Sequence, residues 1–102
     1  MAEFNFYKIY CYSAPQYDWD VRIDLFMNTT AAGTLFFMKT GQTLPLNTNS
    51  GGIPKLYYSV SQFPAIMSVL KDEKPLFVNL NAANGIGTVS TDKEPVGEQE
   101  GV

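Results

Sequence analysis

Apolar and polar residues alternate strictly along residues 19–25 of a predicted strand at 19–28, and this alternation constrains the fold more than any other feature of the chain. Large apolar side chains take every second position: Trp19, Val21, Ile23, Leu25 and Met27. Charged side chains lie between them: Asp20, Arg22 and Asp24. Successive side chains of a strand point to opposite faces, so the pattern predicts a β-strand with one face buried and the other in water.

Further strands are predicted where aromatic and β-branched residues cluster between turn-forming residues. These segments are residues 4–13, 34–39, 55–60, 76–80 and 86–90. Residues 40–54 separate two of them and consist largely of glycine, proline, asparagine and other uncharged residues, which predicts a long loop.

One amphipathic helix is predicted between the fourth and fifth strands. Ser61 is the expected N-terminal cap, Pro64 lies in the first turn, and Pro75 follows the last charged residues. An apolar stripe recurs at helical spacing: Phe63, Ile66, Met67 and Leu70. We expect this stripe to pack against the apolar face of residues 19–25.

The predicted fold class is therefore α+β. The expected architecture is one antiparallel sheet in the order β-β-β-β-α-β-β, with the helix packed on one face. The length of 102 residues fits a single domain, predicted to comprise residues 1–91. Residues 92–102 are acidic and have little apolar surface to bury, so a mobile tail is expected there.

The composition disfavours several classes of chemistry. The chain has no histidine and one cysteine, Cys11, so a serine–histidine site, an intrachain disulfide and a typical zinc site are not expected. No catalytic, metal-binding or cofactor-binding residues are predicted, and a non-enzymatic role is favoured. There is neither a signal-peptide pattern nor an apolar run long enough for a bilayer, so a cytoplasmic location is expected.

Aromatic residues occur on both faces of the predicted strands. In the first strand Tyr10 and Tyr12 share one face, whereas Tyr7 and Ile9 share the other. One helix cannot cover both faces of a sheet, so a second surface remains to be covered by a partner, a loop or a ligand. We expect a homodimer that self-associates through the sheet.

The sequence resembles two groups of proteins. The segments Glu73-Lys74-Pro75 and Glu94-Pro95-Val96-Gly97-Glu98 resemble a group of small uncharacterised bacterial proteins, which implies no known activity. Four predicted antiparallel strands followed by a helix are also similar in element order to the Whirly and coactivator-type fold. That resemblance implies binding of single-stranded DNA through basic and aromatic groups on a sheet.

Three functions follow as alternatives: an interaction domain that self-associates, a single-stranded nucleic-acid-binding protein, and a small-ligand binder or enzyme with a pocket near residues 40–54. The candidate nucleic-acid-binding residues are Lys8, Tyr10, Lys39, Lys55 and Tyr57. The net charge of −3 disfavours nucleic acid, and binding is expected to be weak or absent. Whether the protein binds a single strand depends on whether the lysines and tyrosines share one open face.

Overall fold

The computed structural model describes residues 2–93, which form eight strands, a short 3-10 turn and one α-helix. The strands are β1 (Ala2–Phe4), β2 (Phe6–Cys11), β3 (Trp19–Met27), β4 (Thr30–Met38), β5 (Thr48–Ser50), β6 (Ile53–Ser59), β7 (Leu76–Asn81) and β8 (Ile86–Thr91). The 3-10 turn is Val60–Gln62, and the helix α1 is Phe63–Asp72. The predicted α+β class is confirmed, and the expected tail lies mostly outside the described residues.

The strands form two sheets, so the prediction of a single antiparallel sheet is wrong. One sheet has the order β1-β7-β8 and is antiparallel, and the other has the order β2-β3-β4-β6-β5. Within the larger sheet β4 and β6 run parallel. Residues 39–52 carry the chain back past β4, so β6 starts from the same end as β4. A parallel neighbour requires such a crossover, which the sequence did not reveal.

The predicted first strand is two strands in the structure, and the predicted loop contains a short strand. Asn5 interrupts the first strand, where its side chain bonds Asn28, so β1 joins the small sheet and β2 the large one. Within residues 40–54, β5 folds back on β6 through Gly51 and Gly52, both at positive φ. Strand β4 begins at Thr30, four residues before the predicted start of this strand at residue 34.

The core lies between the inner face of the five-stranded sheet and a layer made of the small sheet and α1. Cross-strand neighbours Ile23, Leu35 and Leu56 are at most 1% exposed and form its centre. Val78 of β7 packs against Gly33, where an added Cβ would lie 3.3 Å from its methyl groups. A side chain at position 33 would therefore crowd Val78, and the glycine favours the close approach of the two sheets.

The helix packs on the inner face as predicted. Phe63, Ile66 and Met67 lie against the core cluster that contains Val21, Ile23, Leu25 and Leu70. Trp19 is the exception, because it lies on the opposite face of the sheet. The expected cap at Ser61 is displaced: Ser59 caps the 3-10 turn, in a capping box with Gln62, and α1 follows directly.

In the part of the chain that the structure describes, no helix has the length and apolar character needed to cross a bilayer.

Truncation of Leu70 tests the packing of the helix. Leu70 is the one buried residue of α1, so Leu70→Ala leaves a cavity between the helix and the sheet. We expect the free energy of unfolding in urea to fall by ~2–5 kcal/mol. Ser68→Ala, on the exposed side of the same helix, is the control and should change it by less than ~0.5 kcal/mol. Equal effects of the two substitutions would contradict the packing.

Candidate functional site

The outer face of the five-stranded sheet, opposite the core, carries two adjacent rows of side chains across β2, β3, β4 and β6. One row is Tyr10, Arg22, Phe36 and Tyr57. The next row is Lys8, Asp24, Thr34 and Lys55. These residues alternate along each strand with residues of the core, so strand geometry places all of them on one side. We call this surface the outer face.

Aromatic rings on the outer face contact one another in an unbroken series. The Phe36 and Tyr57 rings are stacked with centroids 5.1 Å apart, and Trp19 meets Phe36 edge-on at 5.0 Å. Tyr17 stacks on Trp19 at 5.0 Å, and Tyr12 lies 5.1 Å from Tyr17. Each such pair contributes roughly 0.5–1.5 kcal/mol beyond its buried area. The series therefore holds the rings in fixed positions.

Trp19 reaches this face because of an irregularity in β3. The pairing of β3 with β4 shifts between Trp19 and Val21, and such a bulge changes the face to which a side chain points. Strict alternation would have put Trp19 beside Val21 in the core, which is why the prediction that it packs on the helix is wrong. Its ring instead contacts Tyr12, Tyr17 and Phe36.

Arg22 is held at the centre of the outer face by Asp24 and Tyr10. Its Nε donates to Asp24 Oδ1 at 2.9 Å, and its Nη2 donates to Asp24 Oδ2 at 2.8 Å. This hydrogen-bonded carboxylate raises the pKa of Arg22 above its ordinary value. The guanidinium carbon lies 4.8 Å from the Tyr10 ring centroid, and the Lys8 ammonium lies 4.9 Å from the same ring. Two cations, one from β2 and one from β3, therefore lie within cation–π distance of the Tyr10 ring.

A groove of about 230 Å³ opens beside the aromatic row. Side chains that can bind an anion contribute to its lining: Arg22, Thr34, Ser50 and Lys55. Asp24 also lines it, and the other half of the lining has no polar side chain: Leu25, Phe26, Ala31, Gly33 and Ile53. Because Asp24 already accepts both hydrogen bonds of the Arg22 fork, Lys55 is the groove cation without a salt bridge among the described residues. The groove therefore combines positive charge and hydroxyl groups at the edge of an aromatic surface.

The structure brings together four of the five residues predicted from sequence. Lys8, Tyr10, Lys55 and Tyr57 share the outer face. Lys39 lies apart, just beyond the end of β4.

The Lys39 ammonium is engaged in holding residues 13–18. It donates hydrogen bonds to the carbonyl oxygens of Ala14, at 3.2 Å, and Tyr17, and it lies 3.8 Å from Asp20. These contacts position the segment that carries Tyr17 over Trp19. In this structure Lys39 thus supports the aromatic series from its end.

Sequence reasoning missed Trp19, Arg22 and Phe36 as members of the site. Arg22 was placed on the polar face of β3 but not related to Tyr10, because strand register is not visible in one sequence. Phe36 carries a usable signal, since it lies between two core residues, Leu35 and Phe37, and must therefore face outward. The sequence contains no recognisable sign of the bulge that turns Trp19 to the outer face.

Within residues 2–93, histidine, cysteine and acidic side chains form no group of three that could hold a metal ion. Comparisons with protein-family models, with curated proteins and with solved structures found no match.

Removal of the Lys39 charge tests its contribution to the outer face. Lys39→Met keeps the length of the side chain but loses the hydrogen bonds to residues 14 and 17. We expect the amide of Tyr17, which donates to Ala14 within the segment that Lys39 holds, to exchange hydrogen about tenfold faster or more, because loss of the two hydrogen bonds costs roughly 1–3 kcal/mol. The emission of Trp19, the chain's single tryptophan, should move to longer wavelength as Tyr17 leaves it. Lys71→Met, on the exposed side of α1, is the control, and an equal change there would contradict this role of Lys39.

Proposed function

We propose that this protein is a non-enzymatic interaction domain and that its outer face binds single-stranded nucleic acid. One observation carries this assignment: an aromatic row and a row containing two lysines lie side by side across four neighbouring strands. Single strands are bound in general by stacking of bases on aromatic rings and by cations that follow the phosphates.

The aromatic row supplies the stacking surface. Tyr10 and Tyr57 lie at its two ends and are partly exposed, and Phe36 lies between them. Their positions are fixed by neighbouring rings and by Arg22, so little side-chain freedom is lost when a ligand binds. Stacking contributes ~1–3 kcal/mol per base, so two or three bases supply ~2–9 kcal/mol, and together with the phosphate contacts this reaches the ~8 kcal/mol of micromolar affinity.

The charge on the outer face differs from that of the whole chain. The net charge is −3, yet the two rows hold three cations, Lys8, Arg22 and Lys55, against one acid, Asp24. Of the other acids in the described residues, Asp20 also lies in β3, near Lys39, whereas Glu3 lies in the small sheet and Asp72 in α1. A local excess of positive charge is what an approaching phosphate experiences at short range.

The groove supplies a place for one phosphate next to the stacking surface. Lys55 contributes a charge there, and the hydroxyl groups of Thr34 and Ser50 are available as donors. A base on Phe36 or Tyr57 and a phosphate in the groove would match one nucleotide unit. The likeness to single-strand-binding folds adds no support, because six strands precede the helix and two of them, β4 and β6, run parallel. We retain the expected cytoplasmic location, where the free thiol of Cys11 would stay reduced.

A second candidate function is suggested by a separate cavity of about 280 Å³ between the two sheets. Its lining includes Asn49, Gly52 and Pro54 from the segment 40–54, together with Asn79 and Leu80. The described lining residues carry no charge, so a neutral small ligand would suit it. Binding there leaves the outer face unchanged, which separates the two candidates experimentally.

Titration of a labelled 15-nucleotide thymidine strand, followed by fluorescence anisotropy at low salt, tests the proposed function. We expect a dissociation constant in the micromolar range, and a slope of log affinity against log salt of about −2 for three phosphate contacts. A blunt duplex of the same length should bind more weakly, because its bases are not free to stack.

The double substitution Lys8→Gln and Lys55→Gln removes two of the three cations of the outer face. It should weaken binding about tenfold or more and reduce the magnitude of the salt slope by about 1.4. The matched control is Lys71→Gln with Lys93→Gln, which changes the net charge equally at exposed positions off this face. Loss of affinity in both pairs, or no binding by the unmodified protein at tens of micromolar, would refute the assignment.

A further inference from the structure

Strand β2 forms an open edge of the five-stranded sheet. Within residues 2–93 it pairs with β3 on one side and has no strand on the other. Native sheets shield such edges with proline, bulges, charges or short strands. β2 has six residues, no proline and a single charge, Lys8, and its pairing with β3 runs without a shift from Phe6 to Cys11.

The side chains of this edge are unusually apolar for an exposed position. Phe6 is 59% exposed and Tyr7 is 38% exposed. The opposite edge of the same sheet is β5, which has three residues: Thr48, Asn49 and Ser50. The apolar, unshielded edge is therefore β2, and a strand that pairs there would both use its free backbone groups and cover Phe6 and Tyr7.

We infer that β2 pairs antiparallel with β2 of a second copy of this chain, with Ile9 on the two-fold axis. This inference goes beyond the proposed nucleic-acid binding and does not depend on it.

The direction of the backbone groups restricts the register. The backbone N–H of Tyr12 donates to the backbone carbonyl oxygen of Asp20 in β3, at 2.8 Å. Alternate residues of a strand point their backbone groups in the same direction, so those of Tyr10 and Lys8 also face β3. The backbone groups of Tyr7, Ile9 and Cys11 consequently face the open edge. A symmetric pair must match these residues with one another.

Charge selects among the registers that remain. With Lys8 on the axis, two ammonium groups would face each other at the narrow position of the ladder, which is unfavourable. With Tyr10 on the axis, Tyr7 would face Ser13, beyond the end of β2.

With Ile9 on the axis, Tyr7 exchanges backbone hydrogen bonds with the partner's Cys11, and the whole strand is used. Lys8 then lies opposite the partner's Tyr10. The same lysine already approaches Tyr10 of its own chain at 4.9 Å, which shows that this pair of groups is compatible at such distances.

The dimer would join two outer faces into one continuous surface. Closed two-fold pairing is also the commonest form of self-association among soluble proteins. Each copy would contribute its aromatic row, so a single strand bound to the dimer could contact twice the number of rings.

Sedimentation equilibrium at high micromolar concentration, without nucleic acid, tests the dimer. We expect a mass of twice the 11.3 kDa chain. Tyr7→Pro removes an N–H that faces the open edge and leaves the bonds to β3 intact, since proline is tolerated at such edge positions. This variant should be monomeric, whereas Tyr7→Ala, which keeps the N–H, should still dimerise. A monomeric unmodified protein, or a dimeric Tyr7→Pro variant, would overturn the inference.

Disulfide cross-linking tests the register. Residues opposite each other in a hydrogen-bonded pair have Cα atoms ~5.5 Å apart, which a disulfide can span. Tyr7→Cys should therefore form a covalent dimer with the partner's Cys11 under mild oxidation. Tyr7→Cys combined with Cys11→Ser should not, and neither should Phe6→Cys, whose side chain points to the other face. Cross-linking in either control, or none with Tyr7→Cys in a protein that sediments as a dimer, would refute this register.

Because no nucleic acid is present in either experiment, their failure leaves the test of the outer face unaffected. A monomer that still binds the thymidine strand would contradict the dimer alone, and a dimer that does not bind it would contradict the proposed function alone.

Discussion

The packing of the small sheet and α1 on the inner face of the five-stranded sheet is the interaction on which the rest of the structure depends. Ile23, Leu35 and Leu56 are neighbours across three strands of the large sheet. The small sheet packs so close to them that Val78 occupies the space a side chain at Gly33 would need. Burial of such residues stabilises by roughly 1.5–3 kcal/mol each. This contact covers the inner face of the large sheet except along β2, where Tyr7 and Cys11 are exposed. It leaves the other face to be organised by its own side chains.

The outer face is organised by contacts among aromatic rings and by one fixed ion pair. Arg22 and Asp24 hold each other on the same strand, and the Arg22 guanidinium lies over Tyr10. The pair lies partly exposed, so its value for stability is small. Its consequence is geometric: a guanidinium plane and several rings are presented at fixed positions on one surface. That property, and not the overall charge, is the basis on which we propose that this face binds flat, negatively charged ligands.

The sequence predicted what depends on local periodicity and failed where distant strands decide. The alternation in β3 and the stripe of α1 predicted the inner core correctly, including Ile23 and Leu70. The split at Asn5 and the parallel pairing of β4 with β6 depend on tertiary contacts, so one sequence could not reveal them. For the candidate site, residue types and strand phase put Lys8, Tyr10, Lys55 and Tyr57 among the candidates. Their assembly into adjacent rows required the register, which no local pattern encodes.

We propose that the outer face, and not the small sheet or the helix, is the ligand-binding surface. The most direct measurement is a nuclear magnetic resonance titration of the isotope-labelled protein with an unlabelled thymidine strand. We predict that the amide and side-chain signals of Tyr10, Arg22, Phe36 and Tyr57 shift together as the strand is added, while those of β7, β8 and α1 stay unchanged. Shifts confined to β7, β8 or α1, or no shifts at millimolar strand and low salt, would contradict it.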